Sequence, residues 1–386
     1  MMSGCTFNGY RRPDGTVGVR NHILLLPVDG ISNRVAQNVS HIIKGTLDLK
    51  HPYGDLQFGQ DLELFFRIMI GAGSNPNVAA VIVIGSEPIW VDRIASGIEA
   101  TGKPVARFSI RHVGDLATIE QVARKAQEFV YCASEIKAQE ASLSDIILSA
   151  KCTESDPTNG VAANPIMGKV VERALATGST VLFGETSELT GAEHLIANRI
   201  KTRDQQEKFW RIYNEYVGFI ANQKADLLGS QPSQSNILGG LTTIEEKAFG
   251  NIAKIGRASI DGVLESADAP PGKGLWFMNT SSAAAEVLTL FAAAGSVLCM
   301  VATGQGNIIG NPLMPVIKLT ANPQTATTMA EHFDLDFSAV LSQQMPIDPA
   351  GDVLMDMVLR VADGRVTAAE VLNHNEFVPV KLFRSA

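Results

Sequence analysis

DIILSAKCTESDPTNGVAANPIMGKVVERALATGSTVLF, Asp145 to Phe183, is the stretch on which the architecture turns. It opens on a short apolar run, Asp145–Ala150, and crosses a polar loop. It continues into an amphipathic segment ending near Ala176, and a second β-branched run follows at Thr180–Phe183. Strand, loop, helix and strand in that order form a crossover unit, and such a unit lays its two strands parallel in one sheet. Asn164 is placed to cap the helix and Pro165 to take its first position. The loop from Lys151 to Asn164 therefore leaves the carboxyl end of a strand.

The same alternation runs outward in both directions. Candidate strands upstream are His22–Val28, Val78–Ile84 and Val105–Ile110, and downstream Leu275–Met278, Ser296–Ala302 and Val316–Leu319. Helical patterns fill the gaps, at Ile31–Lys44, Leu62–Gly71, Ala117–Ala141 and Val170–Ala176. This predicts an α/β fold: two domains with mostly parallel, Rossmann-like sheets flanked by helices. Ligands of such sheets bind beyond the carboxyl ends of the strands. A charged helix over Thr118–Glu140 sets the boundary near Leu143, giving an N-terminal unit 1–142 and a C-terminal unit 143–386. A further helical region, Glu193 to Leu228, ends in GSQPSQSNILGG (Gly229–Gly240), read as a long functional loop.

A net charge of -8 argues against a nucleic-acid partner, since that affinity comes from clustered Lys and Arg. The longest apolar runs, such as Val78–Gly85, are far short of the ~20 residues that span a bilayer, so no membrane association is expected. MMSGCTFNGYRRPDG at the start has no apolar core of a signal peptide. The 4 cysteines are scattered with no CxxC pair, which reads as thiols or metal ligands in a cytoplasmic protein.

The chemistry concentrates after strands. KCTESDPTNGVAANP (Lys151–Pro165) offers Lys151, Cys152, Glu154, Ser155, Asp156 and Asn164 as ligands or proton carriers. GETSELTGAEH (Gly184–His194) adds Glu185, Glu188, Glu193 and His194; oxygen and imidazole donors suit Mg, Mn or Fe(II), and a Cys tilts the set toward iron or zinc. Glu87 stands at the tip of the most apolar strand, and His51, held extended before Pro52, suits a ligand or an acid/base group. The expected metal ligands are thus Cys152, Glu185, Glu188, His194 and Glu87. TGQGNIIGNP (Thr303–Pro312) is not the dinucleotide fingerprint, because a strand follows where that motif requires a helix. Its glycines suit an anion nest. Ser155, Asn164, Thr303, Gln305, Gly306 and Asn307 are the expected substrate contacts. GGLTTIEEK (Gly239–Lys247) reads equally as a capping box or as a substrate contact.

GYRRPDGTVGVRNH (Gly9–His22), HPYG (His51–Gly54), KCTESD with GVAANP, and GETSELTGAEH together resemble the altronate/galactarate dehydratase superfamily across essentially the whole chain. QPSQSNILGGLTTIEEKAFGN (Gln231–Asn251), TSSAAAE (Thr280–Glu286), GQGNIIGNP and the ending KLFRSA are most similar to its sulfo-lyase branch, the large subunits that act on (2R)-3-sulfolactate. That resemblance implies an Fe(II)-dependent lyase, with Mn or Mg as alternatives, working with a separate small subunit in an oligomer. A sugar-acid dehydratase, or a scaffold subunit whose partner holds the metal, are the competing implications. The dehydratases carry Cys where this chain has Asp55, Gly-Cys-Glu where it has Gly85–Glu87, and Arg at the position of Gln305. A metal site that used those cysteines would differ here. Both reactions remove the C2 proton of a 2-hydroxy acid and expel a group from C3. The expected base is Lys151, its pKa depressed by burial beside a metal, with His51 second; Asp156 is a further catalytic candidate.

Overall fold

The computed structural model describes residues 5–386. Its first half runs β1 (Thr6–Arg11), β2 (Val17–Gly18), β3 (His22–Pro27), α1 (Asn33–Ile42), β4 (Thr46–Asp48), α2 (Gly59–Ser74), β5 (Val78–Gly85), α3 (Pro88–Glu99), β6 (Val105–Ser109), α4 (Asp115–Ser134) and β7 (Gln139–Ser142). A four-stranded parallel sheet forms in the order β4-β3-β5-β6. Every residue of β5, VAAVIVIG, is buried. A continuous apolar run of that kind fits a parallel strand covered on both faces.

The second half runs β8 (Ile147–Thr153), α5 (Asn164–Ala176), β9 (Thr180–Phe183), α6 (Glu193–Ala197), α7 (Arg203–Gln223), α8 (Gln234–Leu238), α9 (Ile244–Ile252), β10 (Gly262–Leu264), β11 (Gly274–Met278), α10 (Ala284–Ala293), β12 (Leu298–Thr303), β13 (Val316–Thr320) and β14 (Leu335–Asp336). Its sheet has seven strands, all parallel, in the order β10-β11-β9-β8-β12-β13-β14. From β8 the chain steps to β9 on one side and later returns to β12 on the other. The carboxyl ends of β8 and β12 therefore flank a topological switch point, where an open α/β sheet offers its crevice.

The two sheets share one apolar core through α2 and α10. Gly71 permits this contact, because a Cβ there would lie 2.2 Å from the Ala293 carbonyl. Buried Asn75 donates to the carbonyls of Ala292 and Ser296, and Asn77 to those of Val297 and Leu313, at 2.7–2.9 Å. These amides satisfy carbonyls at the end of α10 and in the following loops that packing has removed from water.

All the expected strands form, with shifted ends, but four details differ from the sequence reading. The charged helix stops at Ser134; Gln139 and Glu140 turn into β7, which pairs antiparallel with β1 from Thr6 to Gly9 in a small sheet with β2. The helical region after Glu193 is two helices, α6 and α7, and the polar stretch Gly229–Gly240 holds α8, capped by Ser233. Asn164 does not cap α5. The chain enters that helix through a π-turn, Asn159–Ala163, and Asn164 has helical backbone with its Nδ2 donating to the Gly250 carbonyl at 2.8 Å. Among the described residues no helix is long and apolar enough to cross a membrane.

Candidate active site

β8 ends in Lys151, Cys152 and Thr153, and strand alternation sends the first two side chains to opposite faces. Lys151 is 1% exposed, and its Nζ lies 2.5 Å from Glu185 Oε1. It also donates to the carbonyls of Cys152 (2.8 Å) and Ser282 (3.1 Å), which accounts for all its N–H groups. Glu185 follows β9 and Gly184 with left-handed backbone, φ 78°, and Glu154, just beyond β8, has φ 41°. Two acids held in that region at neighbouring strand ends store strain of the kind found at functional sites.

The second oxygen of Glu185 accepts from Lys254, which also donates to Asn251 Oδ1. Asn251 Oδ1 lies 3.0 Å from Cys152 Sγ, and Glu188 Oε2 lies 3.9 Å from the same sulfur. Lys247 closes the cluster, with its Nζ 3.0 Å from Glu188 Oε1. Lys247, Asn251 and Lys254 recur at i, i+4 and i+7, so they lie on one face of α9 and the turn that continues it. All three are buried while Phe249 is 53% exposed. Gly168 on α5 lets that turn approach, since a Cβ there would sit 2.4 Å from the Ala253 carbonyl.

Burial pushes the Cys152 thiol up to about 11; Glu185 adds to the rise and Lys254 opposes it. Burial works against the Lys151 ammonium, but Glu185 and Glu188 outweigh it and hold the pKa above the ordinary lysine value. The expected depression of Lys151 is therefore reversed: its carboxylate partner keeps it protonated. Burial likewise disfavours the Glu185 carboxylate, yet Lys151 and Lys254 hold its pKa below the usual range.

Donor atoms of Cys152, Glu185 and Glu188 lie within 4.8 Å of one another, all buried, a grouping that could hold a metal ion. A thiolate with two carboxylates fits a divalent transition metal and leaves coordination positions for substrate. Two expected ligands lie outside this group. His194 is exposed on α6, and Glu87 is partly exposed and paired with Arg111. Both follow strands as foreseen, but their side chains do not turn into the cluster.

The other expected residues have internal tasks. His51 is buried in the first half, its Nε2 2.9 Å from the Pro27 carbonyl and its Nδ1 accepting from the Tyr53 amide. With both nitrogens committed it is not poised as a base. Asp156 accepts from Thr158 and Asn322. Ser155 Oγ lies 3.7 Å from Cys152 Sγ, near the cluster. In the glycine loop Gly306 donates to Thr303 Oγ1, Gln305 donates from its side chain to the Ser235 carbonyl, and Asn307 donates to Thr153 Oγ1. The amides of Gln305, Gly306, Ile309 and Gly310 all have internal acceptors, so these four are not free to form the expected anion nest. Of the two readings of Gly239–Lys247, capping is realised: Thr243 Oγ1 accepts from the Glu246 amide, and Glu246 bonds back to Thr242. The same segment also delivers Lys247.

A polar cavity of about 290 Å³ opens beside the cluster, bounded by Glu154, Glu188, Ser230, Gln231, Lys247 and Ser282 among others. Sequence reasoning missed Lys247, Asn251, Lys254 and this serine-lined wall.

Residues 143–385 match the family described as D-galactarate/Altronate dehydratase, C-terminal, and residues 9–134 that described as D-galactarate dehydratase/Altronate hydrolase, second domain. The chain belongs to the altronate/galactarate dehydratase family. This family member is 55% identical, over 100% of both chains, to the (2R)-sulfolactate sulfo-lyase subunit beta of Chromohalobacter salexigens. It is 27% identical to the altronate dehydratase of Bacillus subtilis, over 98% of this chain and 78% of that one. It is also 27% identical to the galactarate dehydratase (L-threo-forming) of Escherichia coli K12, over 94% of this chain and 74% of that one. The dehydratases are thus distant relatives that share the framework, and the sulfo-lyase subunit is similar from end to end.

Proposed function

We propose that this chain is the metal-binding subunit of a lyase that cleaves (2R)-3-sulfolactate to pyruvate and sulfite, working with a separate small subunit. The observation that carries this reading is the Cys152–Glu185–Glu188 group at strand ends, opening on a polar cavity, in a chain 55% identical over its full length to a sulfo-lyase subunit. Fe(II) is the metal we assign, with Cys152, Glu185 and Glu188 as its holders; it would supply Lewis acidity to the substrate carboxylate and so make the C2 proton removable.

The charge balance supports an anionic substrate. Lys151, Lys247 and Lys254 face Glu185, Glu188 and the Cys152 sulfur. With a thiolate these balance; a bound dication would add two positive charges and the Glu154 carboxylate at the cavity removes one, so the site stays net positive and receptive to an anion.

Glu154 is the base in this reading. It lines the cavity, its Oε2 accepts from Ser235 at 2.9 Å, and no ion pair is found for it among the described residues. Its carboxylate takes the C2 proton, the C2–H electron pair becomes the C2=C3 bond, and the C3–S bond breaks with its pair leaving on sulfite. The enol then takes a proton at C3 to give pyruvate. Sulfite departs without needing a proton, so no acid is required at C3. Anaerobic reconstitution tests the reading: a chelator-treated complex should release no sulfite until Fe(II) is returned. Full activity in the metal-free complex would end it.

A further inference from the structure

Facing Thr153, Glu154 and Glu188, the cavity has a wall from two segments distant in sequence, Ser230 to Lys247 and Ser282 with Ala283. Lys247 is 8% exposed and directs its ammonium at Gln231 Oε1 (2.7 Å) and Asn236 Oδ1 (2.9 Å) as well as Glu188. With its oxygen held by Lys247, Gln231 turns its Nε2 to donate to Ser282 Oγ at 3.0 Å. Ser282 Oγ lies 2.9 Å from Ser187 Oγ, an acceptor its proton can exchange for another oxygen.

This wall presents an enclosed ammonium and hydroxyls approaching from different chain segments. The three N–H groups of Lys247 are all held, by Gln231, Asn236 and Glu188, so an anion here takes over an N–H now given to a neutral amide oxygen, a weaker acceptor than a charged one. A carboxylate offers two oxygens in one plane, whereas a sulfonate offers three in a pyramid and stays charged at any working pH. Two carboxylates, Glu154 and Glu188, also line the cavity. Lys247 compensates Glu188, and the charge of Glu154 disfavours an anion at its own end.

We infer that Lys247, Ser230 and Ser282 form a sulfonate subsite that holds the C3 substituent of the substrate, leaving its carboxylate and C2 hydroxyl toward Cys152 and Glu188. The substrate named rests on the lyase reading above; the subsite rests on the donors. It sets specificity, because a sugar acid would bring a hydroxylated carbon chain to donors arranged for an anion.

Calorimetry on the metal-loaded complex tests it without turnover, with 3-sulfopropanoate, ethanesulfonate and propanoate as probes. Ser282→Ala and Ser230→Ala should each weaken both sulfonates about 10-fold, the loss of a hydrogen bond to a charged group. Propanoate should change by less than about 2-fold, and metal content should not change. Ser230 is exposed, so its variant reports even if Ser282→Ala folds poorly. Equal losses for propanoate and the sulfonates, or no loss, overturn the subsite. If the variants keep sulfonate affinity while the parent complex releases sulfite from sulfolactate, the subsite fails and the lyase reading stands. If the parent neither binds sulfonates nor releases sulfite, both fail.

Discussion

Lys151 Nζ lies 2.5 Å from Glu185 Oε1, and neither side chain reaches solvent. Removing one partner of a buried pair leaves the other charge uncompensated, at about 3–5 kcal/mol. Lys254 still contacts Glu185, so the lower end applies. Lys151→Met should therefore lose about 3 kcal/mol of stability in urea unfolding, and Lys151→Met with Glu185→Leu should lose less than the two single variants summed. A Lys151→Met protein as stable as the parent would contradict the pairing.

Metal content should follow the cluster. Cys152→Ser and Glu188→Gln, purified anaerobically, should hold markedly less metal than the parent by elemental analysis, because a hydroxyl or amide is a far poorer ligand than a thiolate or carboxylate. His194→Ala and Glu87→Gln should load like the parent. Normal loading in both cluster variants, or loss on changing His194, would move the site elsewhere.

Acid should destabilise the protein before its carboxylates titrate. Burial, with Arg20 adding to it, pushes His22 down to about 4, and burial also lowers His51. Above pH 6.5, the ordinary histidine value, both are neutral whether folded or unfolded. Below it the unfolded chain takes up protons that the folded one refuses, so stability is lost as pH falls from 6.5 toward 4. Urea midpoints at pH ~7.5 and ~5 measure this, on either side of the histidine range. His22→Gln should flatten the dependence, and an unchanged slope would refute the assignment.

Two glycines in helices should respond oppositely. Gly71→Ala drives a methyl against the Ala293 carbonyl, and overpacking of this kind costs roughly 1–3 kcal/mol. A methyl at Gly218 in α7 would meet nothing within 4 Å, so Gly218→Ala should gain roughly 0.5–1 kcal/mol from helix propensity. Thermal midpoints that moved the same way would contradict the packing described for α2 and α10.

The parallel strands were legible because burial on both faces writes continuous β-branched runs, as in Val78–Gly85. Cys152, Glu185 and Glu188 were legible because they follow such runs directly. The small sheet was not, since QEAS in β7 is polar and pairs with residues more than a hundred positions away. Position after a strand does not settle where a side chain turns, which is why His194 and Glu87 lie outside the Cys152–Glu185–Glu188 group. Lys247, Asn251 and Lys254 look solvent-facing one by one. Their shared helical face, with Phe249 turned outward, is a signal that the chain does contain. The Gln231–Asn251 and Thr280–Glu286 runs, marked by resemblance alone, meet in one cavity, a tertiary fact no local pattern carries.

The central claim is carbon–sulfur cleavage at this cluster. The Fe(II)-loaded chain with the proposed small subunit should be given (2R)-3-sulfolactate, altronate and galactarate in parallel, with sulfite, pyruvate and keto-deoxy acids all quantified. The prediction is sulfite and pyruvate in equal amounts from sulfolactate, with at most a trace of keto-deoxy acid from either sugar acid. Turnover of altronate or galactarate with no sulfite from sulfolactate would contradict it.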